Sequence, residues 1–321
     1  MNIIDILSTG VEQGIIWAIL VIGVYITYRI LDIADLSIEG TFPLGACTAA
    51  LMIYLGVNPI IACIIAMIAG MMAGAVTGLL HTALKIPAII SGIIVMTALT
   101  SVNLVILGFA NKDSSVQSVL NIDKNIFQAF SELLTSKFNV PLLYSSKISS
   151  IIIGVIFLLL ISMSVYWLFG TEIGMSIRAT GNNPKMARAQ GINTNLMIIF
   201  GLMLSNGLIA LSGALYAQNS GTAIADCGRG AIIIGLASII IGEIIFKHRT
   251  FKSSLVAIII GTIIFFIIKQ IAIRMNVEHF LNLFTAILIT IILAMPVIKS
   301  RIINKKKVEN HAWDIKHNKN I

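Results

Sequence analysis

Charge is what this chain has least of. Only 11% of its 321 residues are Asp, Glu, Lys or Arg, against 57% that are hydrophobic, and the mean hydropathy is +0.97. So few charges cannot cover that much apolar surface in water, so lipid is the solvent for most of the chain. Cysteine is scarce too. Cys47, Cys63 and Cys227 are an odd number without metal-ligand or redox spacing, and Cys47 and Cys63 sit in apolar runs where packing is their role. The five histidines, His81, His248, His279, His311 and His317, are scattered, so no metal cluster and no Ser–His–Asp arrangement can be argued. That argues against an integral-membrane enzyme. No G-x-x-x-x-G-K-[ST] occurs, so the chain has no P-loop of its own, and any ATP that powers it is hydrolysed by another polypeptide. The opening stretch MNIIDILSTGVEQG has no Lys or Arg before the first apolar run, which argues against a cleaved secretory signal.

What the chain does have is apolar windows of bilayer length. Nine are expected, at about 11–31, 41–56, 59–81, 87–109, 148–169, 194–217, 231–246, 253–273 and 279–298. The second and seventh are short, as a broken helix would be. The expected class is an all-α polytopic membrane protein of about nine transmembrane helices, with a permease-like domain over 1–298 and a basic tail over 299–321. That tail carries Lys299, Arg301, Lys305, Lys306, Lys307, Lys316 and Lys319, which places it in the cytoplasm. Working backwards, the connectors 247–252, 171–193 and the one near His81 and Lys85 fall on the same side. Segment 110–147, with Lys112, Lys124, Lys137 and Lys147 set against Asp113, Asp123 and Glu132, falls outside with the amino terminus, Asp5 and Glu12. The net charge of +8 lies in these connectors and the tail, so nucleic acid is not the expected partner.

A 23-residue polar stretch between two apolar runs reads TEIGMSIRATGNNPKMARAQGIN, 171–193. Its local chemistry specifies a short helix. Asn182 or Asn183 can cap it, Pro184 suits its first position, and Gly191 suits a left-handed stop. Residues 183–190 would span about 12 Å, which is marginal alone in water, so the helix needs something to lie on. Met186 offers an apolar knob, Ala187 and Ala189 leave room for a close partner, and Arg178, Lys185 and Arg188 supply positive charge. One reading is a docking element; the other is a capped surface helix that only orders a loop.

Charged residues near spans form a second candidate site. Arg29, Asp32, Asp35 and Glu39 crowd the junction of the first two spans, where they either pair in a cytoplasmic turn or line a break in a helix. Asp35, Ser37, Glu39 and Gly40 are the candidates for a pathway or gate. A faint echo joins them to Asp226: Ala34-Asp35 precedes Gly40 and Gly45, and Ala225-Asp226 precedes Gly230 and Gly235, on the opposite side, as inverted repeats would give. Glu243 is four residues before Lys247, the spacing of a helical ion pair. Lys269 and Arg274 are read as snorkelling at the end of the eighth span. Gly70, Gly74 and Gly78 have the spacing of close helix packing. Residues 127–138 read as a short amphipathic helix that rests on the bilayer or helps seat a partner.

The run from Gly174 to Asn193, G-M-S-I-R-A-T-G-N-N-P-x-M-A-x-x-x-G-I-N, resembles the cytoplasmic loop of ATP-binding-cassette importer permeases of the branched-chain amino acid and ribose type. SGALYAQ (212–218), ADLSIEGTFPLGA (34–46) and LAMP (293–296) extend the resemblance over roughly 14–298. More narrowly, the chain resembles permeases that travel with lipoprotein binding proteins and are often assigned to tryptophan or tyrosine uptake. In that family this loop carries the coupling helix that sits in a cleft of the ATPase. The resemblance therefore implies a coupling role for Gly174, Arg178, Ala179, Gly181, Asn183, Pro184, Met186, Ala187, Arg188 and Gly191. It also implies separate ATPase subunits that bind ATP and Mg, with no cofactor in this chain, and an extracytoplasmic solute-binding protein. A second permease copy in a homodimer and a bacterial plasma-membrane location are implied as well. The family often has another residue where Glu39 stands, so no role comes over to Glu39. The rival class is an ion-coupled secondary transporter using Asp35 and Glu39 as coupling carboxylates.

Overall fold

The computed structural model describes residues 3–110, 119–122, 125–138, 142–246 and 250–274, with Ile287 and Thr290. Six of its helices are long and apolar enough to cross a membrane. They are α1 (Ile3–Tyr25, continued by a π-helical turn, Ile26–Ile30), α3 (Pro59–Thr82), α4 (Ala88–Ala110), α6 (Leu142–Leu168), α9 (Thr194–Ser220) and α11 (Phe251–Arg274). Between them lie the shorter apolar helices α2 (Ile38–Tyr54) and α10 (Ala231–Ile245), and outside the spans α5 (Ile126–Phe138), α7 (Glu172–Asn182) and α8 (Pro184–Ala189). Eight of the nine expected spans thus have a helix within a few residues of the expected place. The ninth, 279–298, and the tail 299–321 lie outside the described residues, as do Lys112, Asp113, Asp123, Lys124, Lys247, His248 and His279. The chain divides into two units, Met1–Ile268 and Lys269–Ile321. The end of α11, with Ile287 and Thr290, is the described part of the second.

The first unit is organised around α9. Its residues 205–215 are buried on every side, which a helix tolerates only at the centre of a bundle. Asn193 caps its start, accepting a bond from the Leu196 amide, and Gly221, with φ +71°, ends it. Helix α1 runs antiparallel beside it. The Ser205 hydroxyl donates to the Gly23 carbonyl (2.7 Å), that of Ser212 to Ile16 (2.9 Å), and the Asn219 amide to Glu12 (2.8 Å). Helix α3 packs on another side through the glycines of the expected stripe. A Cβ at Gly70 would lie 2.5 Å from the Asn206 carbonyl oxygen, and one at Gly74 would lie 2.3 Å from that of Leu202. Absence of a side chain is what lets these backbones approach, since lipid supplies no hydrophobic force between helices.

The short helices α2 and α10 do not run the full depth of the bundle. The chain descends α1 to the π-helical turn and reverses at Asp32, which takes a left-handed φ of +56°. It then climbs back before α2 begins at Ile38, level with Asn206 near the middle of α9. In the second half, a strand β2 (Thr222–Ile224) at the far end of α9 is followed by residues 225–230, which dip inward to meet α2. A Cβ at Gly228 would lie 2.2 Å from the Glu39 carbonyl oxygen. Helix α10 starts there and runs the opposite way from α2. The two halves exchange partners: Gly45 of α2 packs on Ala210 of α9, and Gly235 of α10 packs on Val24 of α1. This is the antiparallel pair of half-helices that the inverted-repeat echo suggests. Each crossing is completed by non-helical chain, 31–37 before α2 and 225–230 before α10, so the expected alternation of sides survives although neither helix is a full span.

Two ends of the bundle follow from these directions. The connector face carries the π-helical turn, the 83–87 loop, α7, α8 and the start of α11. The opposite face carries Asp5, the turn at 55–58, α5 and a two-stranded ribbon in which β1 (Val119–Asn121) pairs antiparallel with β2. Helix α5 turns Phe127 and Phe130 into the main core and does not lie free on a surface. The Ser149 hydroxyl, on α6, donates to its Phe127 carbonyl (2.7 Å).

Gly45 is the tightest approach on α2, where a Cβ would lie 1.9 Å from the Ala210 carbonyl oxygen. Gly45→Ala is expected to destabilise the protein by about 3 kcal/mol, the upper range for overpacking. A thermal melt in detergent measures it, and an unchanged midpoint contradicts this packing.

Candidate functional site

The connector 171–193 folds as two helices. Thr171 caps α7, its hydroxyl accepting from the Gly174 amide (3.4 Å), and Asn183 caps α8, accepting from the Met186 amide (3.1 Å) with Pro184 at the first position. Gly191, with φ +83°, follows the last turn. Helix α8 is therefore the short helix that its caps specify, whereas α7 is an element the sequence reading did not separate. The glycines dock α7: a Cβ at Gly174 would lie 2.2 Å from the Leu168 carbonyl oxygen, and one at Gly181 would clash with that of Ile30. Ala179 is half-buried and lines the cleft between α7 and its neighbours. Arg188 bonds the start of α9, its Nε donating to the Thr194 hydroxyl (2.7 Å). Ala187 is fully buried within this chain, so the room it gives is used by the bundle itself. The outward surface is Ile173 and Met186, 56% and 49% exposed, with Lys185. Arg178 turns back over the Phe251 ring, 5.5 Å from its centroid.

The second candidate site lies where the half-helices meet. Asp35, 1% exposed, has one carboxylate oxygen accepting from the Ser37 amide (2.9 Å) and the other from Asn206 Nδ2 (2.8 Å). The Ser37 hydroxyl donates to Asn206 Oδ1 (3.2 Å). Asp35 thus receives the amide of Ser37, the residue at the start of α2, in the interior of the bundle, with no cation beside it among the described residues. Glu39, half-buried, accepts from the Gly230 amide (3.1 Å) at the start of α10. Each half-helix start therefore meets a carboxylate from α2 or its lead-in, which favours the positive end of a helix dipole. Gly40 packs on α4, and its carbonyl accepts from Asn103 (3.2 Å). Asp226 is not part of this cluster. It is exposed and pairs with Arg229 (2.8 Å) in the lead-in to α10.

One sequence expectation changes here. The junction charges do not pair among themselves, because Arg29 reaches Glu243 at the far end of α10: its Nε donates to one carboxylate oxygen (2.6 Å) and its Nη2 to the other. Among the described residues the partner of Glu243 is Arg29, 214 residues away, which spacing along one helix cannot reveal; the expected partner Lys247 lies outside them. Asn206 was also missed as a site residue. The signal was present, because an amide in the middle of the apolar run LMLSNGLIAL is costly unless something answers it. Gln218 is similar: it donates to the Pro59 carbonyl and Cys63 sulfur and accepts from the Ile126 amide, riveting α3 and α5 to the end of α9. Among the described residues no group of three His, Cys, Asp or Glu side chains is placed to hold a metal ion.

A cleft of about 780 Å³ opens on the connector face between the π-helical turn, α7 and the start of α11. Tyr28, Arg29, Asp32, Arg178, Phe251 and Ser254 are among its walls.

A bundle with two opposed half-helices at mid-depth and a pair of capped helices hung from one end has the architecture of a membrane transport subunit. Residues 6–295 match the family described as branched-chain amino acid transport system permease components, and the chain belongs to that family. It is a multi-pass membrane protein of a family of permease components rather than of enzymes. Among its relatives is a tyrosine transport system permease protein of Clostridioides difficile, 36% identical over 288 residues, 88% of each chain. An uncharacterized protein of Rickettsia prowazekii is 32% identical over 282 residues, 85% of this chain and 91% of its own. An autoinducer 2 import system permease protein, LsrC, of Yersinia pseudotuberculosis is 27% identical over 253 residues, 78% of this chain and 66% of its own. No solved structure matches.

Asp35→Ala leaves the Ser37 amide buried without its acceptor and the Asn206 amide group with only the Leu202 carbonyl, and is expected to cost about 3 kcal/mol. Arg29→Gln, which breaks an ion pair whose side chains are 50% and 25% exposed, is expected to cost under about 1 kcal/mol. Thermal melts of both variants test the contrast; equal losses would contradict it.

Proposed function

We propose that this chain is the membrane-spanning permease subunit of an ATP-binding-cassette importer. It moves a small solute inward, an amino acid of the aromatic or branched-chain type. ATP and Mg are bound and ATP is hydrolysed by separate ATPase subunits, which grip the α7–α8 connector. An extracytoplasmic solute-binding protein delivers the solute to the opposite face, and two copies of the chain assemble side by side in a bacterial plasma membrane. The solute class takes its support from the similarity to the tyrosine permease.

The observation that carries this reading is the connector itself. Two short helices, each with a side-chain cap, the first docked by glycines and the second by buried Ala187 and the Arg188–Thr194 bond, hold an apolar knob and a lysine outward where the bundle gives them nothing to cover. Met186 is left half exposed at the tip of the connector, free for a partner to cover. The orientation takes its support from charge: Lys85, Lys185, Arg188 and Lys252 sit at the connector face, which makes it cytoplasmic and the amino terminus external. The coupling of helix movement to transport would then run through Gly181 and the π-helical turn into α1. The ion-coupled reading loses ground because both Asp35 oxygens are engaged within the chain and Glu39 is committed to α10.

Met186→Glu puts a charge on the exposed knob without touching the buried side of α8. It is expected to cut co-purification of the ATPase subunit at least tenfold, on the order of 1.4 kcal/mol or more of binding, with an unchanged melting midpoint. Undiminished co-purification overturns the docking role.

A further inference from the structure

The connector-face cleft is built in a way that docking alone leaves unused. Its volume of about 780 Å³ lies within the range of small-molecule sites, about 300–1,000 Å³. Three chemistries line it. Tyr25, Tyr28 and Phe251 give an aromatic wall, and Phe251 is braced from behind by Phe169, with ring centroids 5.3 Å apart. Arg29 is committed to Glu243, but Arg178 has no carboxylate partner among the described residues and rests on the Phe251 face. Asp32, exposed in its left-handed turn, is the carboxylate of the cleft, and Ser254 adds a hydroxyl deeper in it. A guanidinium without a carboxylate partner, an exposed carboxylate and an aromatic wall around one cavity match the three parts of one ligand class.

We infer that this cleft binds a free aromatic amino acid. Its carboxylate lies on Arg178, its ammonium group by Asp32, and its ring against Tyr28 and Phe251. Because α7 forms one wall and the π-helical turn and α11 form the others, an occupant ties the connector to the bundle. The solute would thereby report its own cytoplasmic level to the element the ATPase grips. That regulatory consequence rests on the proposed importer reading; the binding itself does not.

The test uses the purified full chain in detergent, without ATPase or binding protein, so its outcome is separable from the docking experiment. Isothermal titration with L-phenylalanine is expected to show saturable binding. Glycine, which lacks the ring, and benzylamine, which lacks the carboxylate, are expected to bind at least tenfold more weakly. Arg178→Ala is expected to weaken L-phenylalanine at least tenfold, the loss expected of a charge-assisted bond. A second readout does not depend on that variant's folding: maleimide labelling of Ser254→Cys, above the background of Cys47, Cys63 and Cys227, is expected to slow when L-phenylalanine is added. No binding, benzylamine binding as tight as L-phenylalanine, undiminished affinity in a folded Arg178→Ala, or labelling indifferent to the amino acid would each overturn the inference.

Discussion

Where a chain breaks its helix inside hydrocarbon, the freed amides and carbonyls must find partners within the protein, because lipid offers none. The first unit of this molecule is arranged around that demand. At residues 31–37 the Ser37 amide is answered by Asp35, whose other oxygen is held by Asn206 of α9, and at 225–230 the Gly230 amide is answered by Glu39. Helix α9 must therefore sit in the middle, buried on all sides, and the helices that surround it must come close enough to share its carbonyls. The glycines of α2 and α3 follow from that closeness. A residue with a side chain at Gly45, Gly70 or Gly74 would push apart the elements whose contact makes the break tolerable.

Much of this could be read from residues alone. Long apolar runs need only their length and composition to be recognised, so the helices stood where expected. The α8 caps were equally plain, because Asn, Pro and Gly act on backbone one to three residues away. The stripe Gly70, Gly74, Gly78 announced a packing face but not its partner. What could not be read was depth. A window of hydropathy reports that α2 and α10 are apolar, not that they start halfway, and the partners that permit this lie far off in sequence. The same limit applies to Glu243: the arginine that holds it comes from the π-helical turn after α1, beyond the reach of any pattern along one helix. Helix α7 was missed for a different reason. Its polar composition looks like loop, and it is helical because Gly174 and Gly181 let it lie against α6 and the π-helical turn.

The connector and the crossing are joined by short mechanical links. Gly181 rests on the last residue of the π-helical turn, and Arg29 in that turn grips the end of α10, whose start is held by Glu39 of α2. A displacement of α7 therefore bears first on the foot of α1 and on α10, the two elements that flank the half-helix crossing. Arg188, bonded to Thr194, ties α8 to the foot of α9 in the same way. The functional reading and the fold thus meet at the ends of three helices rather than at any one reactive group.

The bond between Asn206 and Asp35 joins residues 171 positions apart. A ribosome adding about 5–20 residues per second completes the second of them on the order of ten seconds after the first. Throughout that interval the nascent α2 has its polar lead-in but not the amide that answers it. The early segment must then wait, shielded by the insertion machinery or held at the water boundary, until α9 is made. Biogenesis of this chain is therefore paced by its fifth long helix-to-be as much as by its first, and truncation before that point would leave an orphan that quality control can recognise.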